Sequence, residues 1–414
     1  MACPEARAVS RRAFLGRGAA SLAVWSLLPK AAIAGTRDPR LLVVVLRGGL
    51  DGLAAVAPVG DPDYARLRGS IALPVSGEGA GLALDGFFAL NAAMPVLHGL
   101  YQKSEALIVH AVHTPYRERS HFDGQDVLES GLAGVGRIDD GWLNRALAHL
   151  PSGGRANPRG LAVGAVLPLV IRGRAPVLSW IPKVNNVPLH DSTVARLMDL
   201  YARTDPVLAR AFAEGMEIHR VAEAGPAKSA QPGAPGQTPA ARISREFVEA
   251  AEAAARFLSA ADGPRIGVLS YNGWDTHANE GPIRGQLAVR LAGLDAAISS
   301  LHTGMGEAWK DTVAVIVTEF GRTARVNGTE GTDHGMATVA LVVGGAVKGG
   351  RILADWPGLR DSALYQGRDL APTRDLRSVL KGVLGEHLGV PNGALASDVF
   401  PDSAGAALLG GLIA

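Results

Sequence analysis

Five short runs of apolar, largely β-branched residues punctuate the chain at 41–46, 106–112, 265–271, 312–317 and 338–343, and each is bounded by glycines or polar clusters. Runs this short, without polar alternation, have the pattern of parallel strands buried on both faces, whose sites lie at their carboxyl ends. Between them, over 194–212, 244–260 and 283–302, apolar positions recur with helical spacing. Strand alternating with helix predicts an α/β fold: a mostly parallel central sheet with helices on both faces. Residues 224–241, with Pro226, Pro232, Pro235 and Pro239 among Ala, Gly and Gln, read as a disordered loop, either a linker or an insertion in one domain. No repeat of fixed period is present.

The start of the chain has a different pattern. Ser10-Arg11-Arg12-Ala13-Phe14-Leu15 precedes a short apolar stretch at 19–28 and the small-residue run Ala32-Ile33-Ala34. That order of parts predicts a twin-arginine export signal over residues 1–34, cleaved after Ala34, and a periplasmic or secreted protein. Arg17 and Pro29 leave far fewer than the roughly 20 apolar residues of a spanning helix, and no later run is long enough, so no membrane span is expected after cleavage. A chain exported in the folded state can take up a metal or cofactor before it leaves the cytoplasm.

Removing that segment changes the charge balance. The whole chain carries 41 basic and 39 acidic side chains; five of the basic ones and one acidic one lie in 1–34, leaving 36 against 38. No basic stripe points to nucleic acid. The one cysteine, Cys3, lies in the expected signal, so the remaining 380 residues offer neither disulfide nor thiolate, and any metal must use His, Asp, Glu, hydroxyl or backbone oxygen. That length suffices for one large α/β domain or two smaller ones; we take 35–414 as a single domain.

Polar clusters follow the apolar runs. The first run ends in Arg47-Gly48-Gly49-Leu50-Asp51-Gly52, with Asp51 where open α/β sheets hold their ligands, or else bonding its own turn. The G-x-G-x-x-G fingerprint of dinucleotide loops is missing. The second run, with His110 inside it as a core histidine, leads to His113, Arg117, Arg119, Ser120, His121, Phe122, Asp123, Gln125 and Asp126. Ser120 reads as an N-cap with Asp123 at the third helical position, a near capping box. A hydroxyl at a helix start can equally meet a phosphate or sulfate, which the free N–H groups and macrodipole favour. In Tyr271-Asn272-Gly273-Trp274-Asp275-Thr276-His277, Asp275 and His277 are two apart in an extended segment and so face the same side, within reach of one ion. Zinc and similar metals accept that mixed oxygen and nitrogen set. Glu319 follows the fourth run in Thr318-Glu319-Phe320-Gly321-Arg322, and Gly331-Thr332-Asp333-His334-Gly335 precedes the fifth. Together these turns predict a metal site. His98, His149, His190, His219, His302 and His387 lack paired acids and read as surface or packing residues; His113 reads either way.

As a set, RGGLDG, RSHFDGQ, GWDTH, TEFGRT and GTDHG resemble the domain-of-unknown-function 1501 family, exported proteins placed with the alkaline phosphatase and sulfatase superfamily, over most of the chain after residue 34. The resemblance implies an alkaline phosphatase-like fold around one or two divalent ions (Zn, Mn, Ca or Mg). It makes Asp51 the first ligand and Ser120 the nucleophile, with Asp275 and His277 on the other metal. Glu319 falls where the superfamily often has Asp-His. Asp333 and His334 are then either a displaced Asp-His pair, or His334 alone is the late histidine; His121 is a ligand or the reactive group. The implied activity is hydrolysis of a small-molecule phosphate or sulfate ester, with Arg119 or Arg47 pairing with its oxygens. The alternative is a non-catalytic metal-binding protein on the same fold, serving envelope assembly or a co-exported protein partner. An oxidoreductase would need cysteine ligands or a glycine-rich cofactor loop, and neither is present.

Overall fold

The computed structural model describes residues 37–136, 138–150, 160–181, 191–205, 209–210, 212–213, 215–216 and 238–414. The expected export signal, residues 224–237 of the expected loop, His190 and His219 lie outside the described residues. Nine strands make the main sheet: β1 (Arg40–Arg47), β2 (Ala106–His113), β3 (Gly160–Val163), β4 (Val177–Trp180), β5 (Ile266–Asn272), β6 (Thr312–Thr318), β7 (Thr338–Val343), β8 (Arg351–Leu353) and β9 (Arg374–Asp375). Their order is β8-β2-β7-β6-β1-β5-β3-β4, with β9 also pairing with β2.

β1 lacks polar alternation because both of its faces are covered. Leu42, Val44 and Leu46 pack on one side with Phe247, Leu258, Leu291 and Ile298; Leu41, Val43 and Val45 pack on the other with Trp142, Leu143, Val379 and Leu380. Burying each such side chain is worth about 1.5–3 kcal/mol, so a polar residue on either face would cost the sheet its centre. The first face is covered by two long helices, residues 239–259 and 286–305, and the second by residues 376–388.

Three differences from the sequence reading have physical causes. β7 runs antiparallel to both β2 and β6, whereas the other main-sheet pairings are parallel. A strand buried on both faces has the same apolar pattern in either direction. Here no helix spans the link from Thr318 to Thr338, so the chain turns back instead of crossing over. β3 and β4 went unread because four residues each are too short to stand out. The helix Pro239–Ser259 starts inside the stretch read as loop: Thr238 Oγ1 accepts from the Ala241 N–H at 3.2 Å and Pro239 occupies the first turn. Proline suits that position because its missing N–H would have had no helical partner.

At the end of β2 the register with β7 breaks, and Ala111, with φ +55°, is the extra residue of a bulge. His110 beside it is fully buried, as the sequence implied. Its Nδ1 accepts from the Ala111 N–H at 2.8 Å and its Nε2 donates to the Val56 carbonyl at 3.0 Å, an arrangement only the neutral ring can make. Burial pushes its pKa down to about 4. Among the described residues no helix is long and apolar enough to cross a membrane.

The folded pKa of His110 lies below its unfolded value, so the unfolded chain binds the extra proton as pH falls from about 6.5 to about 4. Denaturant titrations at pH 7.5 and 4.5 should show about 2–3 kcal/mol of acid destabilisation that His110→Gln lacks. Equal acid loss in both proteins would rule the mechanism out.

Candidate metal centre

β1, β5 and β6 are parallel neighbours, so Arg47 pairs with Asn272, Leu46 pairs with Thr318, and the turns that follow emerge at one edge. The N–H groups of Gly273 and Trp274 both donate to the Arg47 carbonyl, at 3.1 and 3.2 Å, docking the GWDTH turn on the end of β1. Trp274 anchors that turn in the core, edge-on to Tyr271. Gly48 has φ +122°, and a Cβ there would sit 2.6 Å from the Asp275 nitrogen; no other residue fits. The GTDHG turn arrives from the other direction. Gly331 lies so close to the His277 carbonyl that a side chain would collide with it, and Thr332 N–H donates to the Thr276 carbonyl at 3.1 Å.

These contacts bring four side chains together. The ligating atoms of His121, Asp275 and His334 all lie within 4.8 Å of one another. His277 joins from the solvent side, its Nε2 2.9 Å from Asp275 Oδ1 and 3.0 Å from His334 Nε2. Each imidazole is held through its other nitrogen by a group that can only accept: His121 by Glu319 at 2.8 Å, His277 by Asp333 at 3.3 Å, and His334 by the Arg119 carbonyl at 2.8 Å. Donating from Nδ1 leaves a lone pair on each neutral Nε2, and those of His277 and His334 then face each other at 3.0 Å. Two lone pairs at that range repel unless a proton or a cation lies between them. Histidines held through Nδ1 by a carboxylate or carbonyl are the usual outer support of a metal site. Ligand atoms around a tetrahedral ion at roughly 2.0–2.1 Å are about 3.3 Å apart, close to the separations found here. The donor set therefore fits a divalent metal.

The charges are arranged accordingly. Burial works against a charged Asp275, but hydrogen bonds from His121, His334 and Arg322 outweigh it and hold the carboxyl well below the usual range. Arg322, itself buried, donates to Asp275 Oδ1 at 2.6 Å and to Thr332 Oγ1 at 3.1 Å. Glu319 is also buried, which opposes its charge; His121, Gln125 and the Gly48 N–H at 2.9 Å bond to it and lower its pKa. Hydrogen bonds to Asp275 and Glu319 push His121 up to about 9.

Of the residues singled out in the sequence, Asp275, His277, His334 and His121 converge, with Glu319 and Asp333 behind the rings as acceptors. Asp51 stands outside the group. It caps Gly52–Ala55 by accepting from the Leu53 and Ala54 N–H groups, and its other oxygen pairs with the fully buried Arg68. Ser120 is the N-cap of His121–Ser130, but its hydroxyl makes no capping bond, and Asp123 accepts from Tyr116 at 3.2 Å, so the capping box does not form. The Arg119 guanidinium is turned to Asp369, at 2.6 Å, and Arg47 to Glu129. Sequence reasoning missed Arg322, Arg68, Glu280 and Asp369. All four are buried ionisable groups whose partners lie in other segments, and only the TEFGRT motif offered a signal, for Arg322.

The profile of the family described as "Protein of unknown function (DUF1501)" matches residues 103–398, most of the chain. No curated protein matches the sequence. Among solved structures, the chain is similar to a phosphonate monoester hydrolase of Agrobacterium radiobacter, at 14% identity over 86% of this chain and 74% of that one, with TM-score 0.38. A protein in the alkaline phosphatase superfamily from Vibrio parahaemolyticus is 13% identical over 76% and 62%, TM-score 0.34. A sulfatase from Pseudoalteromonas sp. is 14% identical over 80% and 67%, TM-score 0.34. The likenesses are distant and say nothing of activity.

Calorimetric titration of zinc into the metal-free protein should give saturable binding that Asp275→Ala and His334→Ala remove. Glu319→Gln should weaken it roughly 10–100-fold, as expected for an outer partner of a metal-bound histidine. Wild-type affinity in all three variants would mean that zinc binds elsewhere.

Proposed function

We propose that this chain, which belongs to the DUF1501 family, is an exported metal-dependent hydrolase of phosphate or sulfate esters, working as a single domain over 35–414. The observation that carries the reading is the set of three imidazoles, each tied back through Nδ1, whose Nε2 atoms approach one carboxylate oxygen. A nitrogen-rich set of this kind favours zinc over manganese, calcium or magnesium, which prefer oxygen ligands. A bound divalent ion would supply Lewis acidity, lowering the pKa of Ser120 or of water and offsetting charge on the transferred group.

The protein's own residues supply position and a field. His121, Asp275, His277 and His334 would hold one ion; a second has no free carboxylate at Asp51, whose charge Arg68 already balances. Ser120 directly precedes His121, and its hydroxyl, not spent on capping, is the nucleophile candidate. Ser120 also stands at the start of the ten-residue helix His121–Ser130, whose first N–H groups and positive dipole end would favour an anion there.

One observation favours the alternative, a metal-binding protein without turnover that serves a co-exported partner or an envelope structure. The guanidinium groups of Arg47, Arg119 and Arg322 are engaged by Glu129, Asp369 and Asp275, which leaves none of these three to clamp an ester's oxygens.

Two experiments test the proposal. The zinc- or manganese-loaded protein should hydrolyse an aryl phosphate or an aryl sulfate, and Ser120→Ala or Asp275→Ala should lower kcat by roughly 10³-fold or more. Bound metal with no turnover across both ester classes would replace the hydrolase with the binding protein. Separately, changing Arg11 and Arg12 to lysine should retain the protein in the cytoplasm on cell fractionation, while the unchanged chain appears outside it with Gly35 as its first residue. Cytoplasmic retention of both would remove the export proposal.

A further inference from the structure

We propose that Arg290 anchors an oxyanion site at the carboxyl end of β5, beside the metal centre, which takes a phosphate, sulfate or carboxylate group. Arg290 stands near the start of the helix 286–305 and is 8% exposed. A guanidinium stays charged at any ordinary pH, and a buried charge is costly unless an opposite charge meets it. Among the described residues none does. Nη1 donates to the Gln286 carbonyl one turn back at 2.9 Å, while Nε is buried without a partner. The helix brings no acid to this face, since the positions three and four away are Leu287, Gln286, Gly293 and Leu294. The ionisable neighbour is the Tyr271 phenol, which burial pushes up to about 12 and so keeps neutral.

The location points to a ligand as well. A Cβ at residue 273 would stand 3.0 Å from Nε and 3.1 Å from Nη2, so the glycine of the GWDTH turn leaves that edge of the guanidinium uncovered. Nε and Nη2 are the paired donors that a carboxylate, phosphate or sulfate accepts through two oxygens. Asn272, exposed and next to Gly273, adds a side-chain amide. Open α/β sheets take their ligands at the carboxyl ends of strands. Gly273 is also two residues from Asp275, at most about 7 Å along the chain. The oxyanion is either free phosphate or sulfate, or a second acidic group on the ester; the latter source alone rests on the hydrolase reading above.

The metal-free protein tests the site apart from the metal. In buffer free of sulfate and phosphate, Arg290→Met, which keeps the apolar stem and removes an uncompensated charge, should melt no lower than wild type. Sodium sulfate, compared with sodium chloride at equal ionic strength, should then raise the melting temperature of wild type further than that of the variant. Calorimetry should show saturable sulfate binding that Arg290→Met weakens roughly 10-fold or more. Arg290→Lys, with the charge but not the paired donors, should fall between the two. An equal response to sulfate in wild type and Arg290→Met overturns the proposal. So does clear destabilisation of Arg290→Met without sulfate, which would reveal an acidic partner within the chain. The zinc-loaded protein identifies the source. If the group belongs to the substrate, KM for 4-carboxyphenyl phosphate should lie about 10-fold below that for phenyl phosphate in wild type, and the difference should vanish in Arg290→Met. The same KM ratio in both proteins assigns the site to the free anion. A protein that hydrolyses neither ester loses the hydrolase reading, while the sulfate measurements still decide the site.

Discussion

One oxygen, Asp275 Oδ1, sets the character of the site, because three imidazole nitrogens and a buried guanidinium all approach it at 2.6–3.4 Å. A single carboxylate can neutralise one of those groups, not all of them as cations. Arg322 is permanently charged and buried, so it takes that role. His121, pushed up by Asp275 and Glu319, holds a second positive charge, so a metal could meet it only as the proton leaves. Glu319 and Asp333, one turned to His121 and one to His277, add the negative charge that makes a divalent ion affordable there. With all three rings neutral, as a metal would require, three carboxylates face one guanidinium, and a divalent ion would balance the remaining charge.

The other acidic cluster at this edge of the sheet is complete in itself. Asp51 and Glu280 are both buried around Arg68. Burial, and then the neighbouring Asp51 charge, raise Glu280 well above the usual carboxylate range, so the cluster is satisfied by one guanidinium and one proton. Glu280 Oε2 accepts from Thr332 Oγ1 at 2.9 Å, and Thr332 in turn accepts from Arg322, so the closed cluster buttresses the open one. Breaking the Asp51–Arg68 pair from one side would strand a buried charge, at a cost of about 3–5 kcal/mol. Asp51 thus contributes to the site through the scaffold that carries Arg322.

Much of this was legible in the sequence, for reasons that also mark where legibility stops. β1, β2, β5, β6 and β7 announce themselves because burial on both faces excludes polar residues, but the same symmetry conceals that β7 is reversed. Asp275 and His277 could be paired because an extended segment puts alternate residues on one side, and they do meet, at 2.9 Å. The GTDHG turn reads as polar loop, and its docking on His277 depends on a close approach at Gly331 that no local pattern encodes. Ser120 looks like a cap from its neighbours, yet whether a hydroxyl caps depends on a rotamer that sequence does not specify. Arg68 and Asp369 are invisible in advance because a buried charge is recognised only by its partner, and theirs lie 17 and 250 residues away.

Burial also decides from which side the site can be reached. Glu319 and Arg322 have no exposed side-chain surface, whereas the side chains of His277 and Asp333 are 46% and 50% exposed. The group therefore opens to solvent on the side of His277 and Asp275, and the rings of His121 and His334 are held from behind. Of the three rings, His277 has the longest outer hydrogen bond, 3.3 Å to a solvated carboxylate, so it is the least firmly held. Two rings held from behind, one carboxylate held by Arg322 and one loosely held ring toward solvent are what the proposed hydrolase would need, since such a set could keep an ion while opening a coordination position.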